Sequence, residues 1–134
     1  MPVPEAQRAG MLASYGSRDG ALQALSVLAG TPLSDELREQ VIEDTLRGGP
    51  EAKRVWTDRG MIEDVSADLD VVTIPVSIVV GSRDRVERES ALREVFGHLI
   101  PQATVRALEG IGHLSPLEAP GELADACAHL LAGR

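Results

Sequence analysis

The chain has 134 residues, with 13 Lys and Arg against 21 Asp and Glu, so its formal net charge is −8 at pH 7. This acidic balance argues against a nucleic-acid partner or an anionic membrane partner, because both attract clustered cations. One Tyr, one Trp and one Phe leave no row of aromatic side chains for stacking on bases or for anchoring at a bilayer interface. A hydrophobic content of 43% with 25% charged residues is typical of a globular protein rather than a disordered one.

Cysteine content and the amino-terminal residues indicate the compartment. The single Cys127 cannot form an internal disulfide, and we expect it in the core, on the apolar stripe of the last helix. The first twenty residues are interrupted by charges, which argues against a signal peptide or an anchor. The longest strongly apolar stretch, residues 71–80, is too short to cross a bilayer. We therefore expect a cytoplasmic protein.

Residues 1–70 have the pattern of short amphipathic helices. Ser34 is a good N-cap, and Pro50 suits the first position of a helix. Glycines follow three of the apolar runs and are expected to end those helices. The predicted helices cover residues 5–14, 18–30, 35–48 and 50–60, with one further turn at 61–65.

Residues 71–134 alternate between strand and helix patterns. Residues 74–81 are apolar almost throughout, which is typical of a strand covered on both faces in a parallel sheet. A helix over 88–99, a strand over 103–110 and a helix from Pro120 complete a β-α-β-α unit. Two parallel strands leave unpaired edges, so we expect a further segment or chain to complete the sheet.

A carboxylate and an imidazole follow the two predicted strands. Asp84 lies in the turn GSRDRV, and His113 lies in the loop GIGHLSPLEAP. Because the carboxyl ends of parallel strands meet at one edge of a sheet, we expect these side chains to reach hydrogen-bond distance. In such a pair the carboxylate fixes the imidazole tautomer and stabilises the imidazolium that forms when the ring takes a proton from a nucleophile.

These segments resemble the carboxyl-terminal half of the α/β-hydrolase fold family. IPVSIVVGSRD is similar to the strand and turn that carry the catalytic acid, and GIGHLSPLEAP is similar to the loop that carries the catalytic histidine. The resemblance implies that Asp84 is the acid and His113 the base, in the chain order nucleophile, acid, histidine. It also implies an incomplete α/β fold, with a helical cap or lid over residues 1–70 and a C-terminal hydrolase segment over residues 71–134.

The family's nucleophile elbow, G-x-S-x-G, does not occur in the sequence. Ser17 lacks the second glycine and a preceding apolar strand, and Ser82 lies in the acid turn itself, so we assign no nucleophile. The oxyanion-hole donors belong to the same absent part of the fold. An Asp–His pair alone can accept a proton, but it forms no acyl-enzyme.

The resemblance implies that the complete form hydrolyses a small ester or related acyl substrate by a Ser-His-Asp relay, to which this chain supplies acid and base. The nucleophile and most of the sheet would then come from a longer gene or from a complementing chain. A cofactor-free haloperoxidase or an epoxide hydrolase would leave the same residues in this half. The alternative of another class is a non-catalytic fragment or regulatory remnant that binds a partner or self-associates.

The remaining polar residues have simpler interpretations. We expect Glu118 to bond backbone N–H groups near the start of the last helix, and His98 and His129 to lie on the surface. Asp84 has a competing interpretation as a turn residue that bonds its own backbone. We expect no metal and no cofactor, because no His, Cys or carboxylate spacing suggests a metal site and no glycine-rich loop precedes a helix as in a phosphate site.

Overall fold

The computed structural model of the protein describes residues 3–133, and its contacts divide them into two compact units. The first unit contains the residues up to Val27 and Ser34–Asp64. The second unit contains Leu28–Leu33 and the residues from Val65 onward. The predicted division after residue 70 concerns the roles of the two segments, a lid and a hydrolase segment, rather than their contacts. It stays a prediction.

Four α-helices lie within residues 3–55, as the sequence predicts. They are α1 (Glu5–Ser14), α2 (Arg18–Leu28), α3 (Asp35–Arg47) and α4 (Pro50–Val55). The N-cap at Ser34 is confirmed, since its hydroxyl accepts a hydrogen bond of 3.2 Å from the N–H of Leu37. Ile42 of α3 is fully buried in the first unit.

The helix expected over 50–60 changes its hydrogen-bond pattern after Val55 and ends in a π-helical turn, Trp56–Gly60. Buried Thr57 donates its hydroxyl to the carbonyls of Lys53 and Arg54 at 3.2 and 3.0 Å. This bonding competes with the regular helical pattern, because those carbonyls also serve the helix backbone. The further turn predicted at 61–65 is present in its first half, where the N–H groups of Ile62 and Glu63 both donate to the carbonyl of Arg59 at 3.0 Å. The next helical turn is a 3₁₀ helix at Ser66–Asp68.

A parallel pair of strands organises the second unit. β1 (Ser77–Gly81) pairs with β2 (Thr104–Leu108) in a register that matches the first residue of one strand to the first of the other. The crossover helix α5 (Glu89–Leu99) contacts β2, and the last helix α7 (Pro120–Ala132) contacts β1. The β-α-β-α order is confirmed. A four-residue helix, α6 (Ser115–Glu118), is an addition that the sequence reasoning missed.

The strand pattern at 74–81 overestimates the length of β1. Pro75 has no N–H to give to a ladder, and pairing begins two residues after it. Ile74 and Val71 are 61% and 75% exposed, so the apolar run is uncovered at its start. Within residues 3–133, β1 and β2 pair only with each other. The sheet therefore has two strands, where the sequence pattern indicates a strand from the interior of a larger sheet.

The core of the second unit is formed by Leu108, Ile111 and Ala119, with Val79 packed against it. On α7, Ala126 is buried, but Cys127 is exposed, so its predicted core position is wrong. Cys127 is one residue, about 100° around the helix, from buried Ala126. Like every other helix in the described part of the chain, α7 lacks the length and apolar character needed to span a bilayer.

Candidate active site

The turns that follow β1 and β2 are bonded to each other. The N–H of Ser82 donates to the carbonyl of Leu108, and the N–H of Arg83 donates to the carbonyl of Ile111, both at 2.9 Å. Gly110, at φ 79°, turns the chain after β2 and donates its N–H to the Ser82 hydroxyl at 2.8 Å. The two turns at the carboxyl ends of the strands are thus bonded together, and Asp84 and His113 follow in these turns.

The two oxygens of Asp84 have separate partners. Oδ1 accepts hydrogen bonds from the N–H groups of Val86 and Glu87 at 2.8 and 2.9 Å. Oδ2 lies 2.9 Å from Nδ1 of His113. Asp84 therefore both bonds its own turn and contacts His113. The bonds to the turn hold the carboxylate in the orientation in which Oδ2 meets the imidazole. The Asp84 side chain is only 5% exposed.

The ring of His113 is oriented by this hydrogen bond. A carboxylate oxygen accepts from an imidazole N–H, so this contact favours the tautomer of the neutral ring that has its proton on Nδ1 and Nε2 as an acceptor. The side chain is 37% exposed, and Nε2 has no hydrogen-bond partner among residues 3–133. Nε2 can therefore accept a proton from a hydroxyl placed within hydrogen-bond distance. The other two histidines, His98 and His129, are exposed on α5 and α7, as expected.

The backbone of the His113 loop is fixed by segment 28–33. The N–H of His113 donates to the carbonyl of Leu28, the last residue of α2, at 2.7 Å. The N–H groups on either side, at Gly112 and Leu114, donate to the carboxylate of Glu118 at 3.0–3.2 Å. Three consecutive N–H groups therefore have defined acceptors.

Glu118 also binds segment 28–33 directly. Its Oε2 accepts from the N–H of Gly30 and the N–H of Thr31, both at 2.8 Å, and from the Thr31 hydroxyl at 3.0 Å. Burial raises the pKa of this carboxyl, but the hydrogen bonds from Gly112, Thr31 and Gly30 outweigh it and lower the pKa below the usual 4.5. The predicted bonding of Glu118 to backbone N–H groups is confirmed. Its partners 87 and 88 residues earlier in the chain were not foreseen.

Three glycines allow this loop to pack against its neighbours. A Cβ atom at Gly81 would collide with the carbonyl oxygens of Ile111 and Gly112. One at Gly112 would collide with the backbone of Gly30 and Leu28, and one at Gly30 with the backbone of Gly112. Only residues without side chains let the end of β1, the His113 loop and segment 28–33 approach this closely.

A recess of about 400 Å³ lies beside the loop and is lined by Ala29, Gly30, Arg83 and Arg85. Arg83 donates to the carbonyl of Gly30 at 3.3 Å, and neither arginine has a salt bridge within residues 3–133. The same part of the chain contains no group of three or more His, Cys, Asp or Glu side chains placed to hold a metal ion. Ser82 accepts from Gly110, and no serine of these residues bonds to the His113 ring.

The fold matches many solved α/β-hydrolase structures. One is a bacterial membrane phospholipase A, with a TM-score of 0.75, 22% identity, and coverage of 99% of this chain and 46% of that one. Another is an esterase from Exiguobacterium antarcticum, with a TM-score of 0.81, 12% identity, and coverage of 95% and 48%. A bromoperoxidase from Bacillus anthracis matches with a TM-score of 0.71, 17% identity, and coverage of 94% and 44%. No protein-family model and no curated protein sequence matches the chain.

These matches define the class of fold. The chain has the α/β-hydrolase fold in a partial form, and it spans less than half the length of each of these three proteins. The fold class expected from the two polar loops is thus confirmed. The catalytic assignment of Asp84 and His113 stays a prediction, because a shared fold does not establish a shared activity.

Proposed function

We propose that this chain supplies the acid and the base of an acyl hydrolase, with Asp84 as the acid and His113 as the base. The substrate is a small ester or a related acyl compound. The observation that carries the proposal is the 2.9 Å contact between Asp84 Oδ2 and His113 Nδ1 at the carboxyl ends of two parallel strands. The serine nucleophile and the oxyanion hole belong to a part of the fold outside these 134 residues, on a complementing chain or a contiguous segment.

In the complete form, a serine hydroxyl lies at Nε2 of His113. The imidazole takes the hydroxyl proton while the oxygen attacks the acyl carbon, and Asp84 stabilises the imidazolium. His113 then returns the proton to the leaving alkoxide as the tetrahedral intermediate collapses to an acyl-serine. A water molecule then attacks the acyl-serine while His113 takes a proton from the water. The imidazolium gives this proton to the departing serine oxygen, which releases the acid and restores the serine hydroxyl.

The partial exposure of His113 supports this assignment. A base that must receive a proton from another part of the fold needs an accessible nitrogen, and the ring is 37% exposed while its Asp84 partner is 5% exposed. The buried carboxylate orients the ring, and the open side of the ring faces its reaction partner. Residues 1–70 are proposed as a lid, by their position in the chain before the acid-bearing strand.

A fluorophosphonate probe tests the proposal, because it labels serines that a neighbouring base has activated. The chain carries an affinity tag at its carboxyl end and is isolated from cells together with any contiguous segment or bound protein chain. The isolated material is then treated with the probe. We expect a labelled serine within a G-x-S-x-G segment, and slower labelling after His113→Ala. His129→Ala, which changes an exposed histidine of α7, is the matched control and should leave the labelling rate unchanged.

A second candidate function is non-catalytic binding of a partner or self-association. The exposed apolar residues that precede β1 favour this function, since Val71 and Ile74 are 75% and 61% exposed. Absence of any labelled serine, together with a stable complex that survives His113→Ala, would support this function and would contradict the hydrolase proposal.

A further inference from the structure

Glu118 accepts hydrogen bonds from two separate parts of the second unit. Gly112 and Leu114 donate to it from the two sides of His113. Gly30 and Thr31 donate to it from segment 28–33, with the Thr31 hydroxyl as a fifth donor. One carboxylate thus joins the His113 loop to segment 28–33.

Hydrogen bonds to a carboxylate are stronger than those between neutral groups, because the acceptor carries the charge. Removing the acceptor would leave several N–H groups without partners, including that of buried Gly112. Such groups recover partners by moving toward water. A movement of about 1 Å at the loop is enough to break the contact between Nδ1 of His113 and Oδ2 of Asp84.

We propose that Glu118 is a positioning residue for His113, whose carboxylate fixes the backbone on both sides of the imidazole and thereby maintains the His113–Asp84 hydrogen bond. Its importance for catalysis rests on the proposed function, but its effect on the ring does not. Glu118 itself is not bonded to the imidazole, so it acts through the loop.

The amide of glutamine would be a poor substitute at this position. Both carboxylate oxygens accept hydrogen bonds, Oε2 from Gly30, Thr31 and Gly112, and Oε1 from Gly112 and Leu114. Replacing either oxygen by an NH₂ group places a donor against donors. Glu118→Gln therefore removes the function of the carboxylate while it preserves the shape of the side chain.

Nuclear magnetic resonance of the whole ¹⁵N-labelled chain tests the proposal without any substrate. The ring nitrogen shifts of His113 report which nitrogen carries the proton, and amide exchange reports the opening of the loop. For Glu118→Gln we expect a loss of the Nδ1–H tautomer and about tenfold faster exchange at Gly112 and Leu114, with exchange at Val79 of β1 unchanged. Glu122→Gln, at an exposed position of α7, should change neither.

If Glu118→Gln does not fold, a variant that removes only one donor to Glu118 tests the positioning role. Thr31→Val removes only the hydroxyl donor, and we expect faster exchange at Gly112 with a smaller shift in the tautomer. Unchanged ring shifts and unchanged exchange in the folded variants would overturn the proposal. An equal rise in exchange throughout the second unit would also overturn it, because it would show a general structural role. Failure of the hydrolase proposal would appear separately, as the absence of a labelled serine.

Discussion

Gly30 and Gly112 pack backbone against backbone, and neither has room for a side chain. A Cβ atom on Gly112 would collide with the N–H of Gly30 and with the carbonyl of Leu28, which accepts the hydrogen bond from His113. The contact therefore holds segment 28–33 against the residue next to the predicted base. The packing of two glycines, 82 residues apart in the sequence, thus determines where His113 can lie.

Gly112→Ala should destabilise the chain by about 1–3 kcal/mol, because its methyl group forces two backbone segments apart. Urea unfolding of the whole chain measures this change. The matched control is Gly97→Ala on α5, where nothing lies within 4 Å of an added Cβ atom. The free energy of unfolding of that variant should rise by about 0.5–1 kcal/mol, because alanine is more favourable than glycine in a helix interior. Equal effects of the two substitutions would contradict the packing argument.

Much of the second unit could be predicted from the sequence, because its signals are local. Apolar runs and the turns after them indicate the two strands, and the order of strands and helices in a parallel unit brings Asp84 and His113 to one edge. The helix pattern of α7 was less informative, since its apolar stripe is wider than its buried face. Cys127 lies on that stripe but outside the buried face.

The partners of Glu118 could not be predicted, because they are backbone groups. A backbone N–H has the same chemistry at every residue, so the sequence has no signal that directs Glu118 to Gly30 and Thr31. The glycines of the two segments do give a partial signal of their contact. The helix pattern explains Gly30 only as a helix stop, although its lack of a side chain also permits the contact with Gly112.

The pKa of Glu118 makes the stability of the chain depend on pH. Because hydrogen bonds lower the pKa of this carboxyl in the folded state, ionised Glu118 stabilises the fold fully above the unfolded value of about 4.5. That contribution is lost as the pH falls through the lower folded pKa. Urea unfolding at a series of pH values should therefore show the wild-type advantage over Glu118→Gln shrinking below about pH 4.5. A constant difference between the two proteins across this range would contradict the assignment.

The uncovered apolar residues beside β1 should make the 134-residue chain bind hydrophobic dyes or self-associate on its own. Ile74 is 61% exposed, so Ile74→Thr should reduce dye fluorescence and shift sedimentation toward the monomer. The control is Val55→Thr, at a half-exposed position of α4 in the first unit, which should have little effect. A dye-negative monomer that unfolds cooperatively with a stability of about 5–15 kcal/mol would show that two strands suffice.

The tautomer of His113 decides whether this residue can act as the base, because a base in this position needs its proton on Nδ1 and a free Nε2. At about pH 8, where an unperturbed imidazole is neutral, ring ¹⁵N shifts of the whole chain distinguish the two forms. Asp84→Asn retains an oxygen for the turn but can present an NH₂ group to the ring, so it should move the proton from Nδ1 to Nε2. We expect the Nδ1–H form in the wild type and the Nε2–H form in Asp84→Asn. An Nε2–H form in the wild type, or no change on substitution, would contradict this expectation.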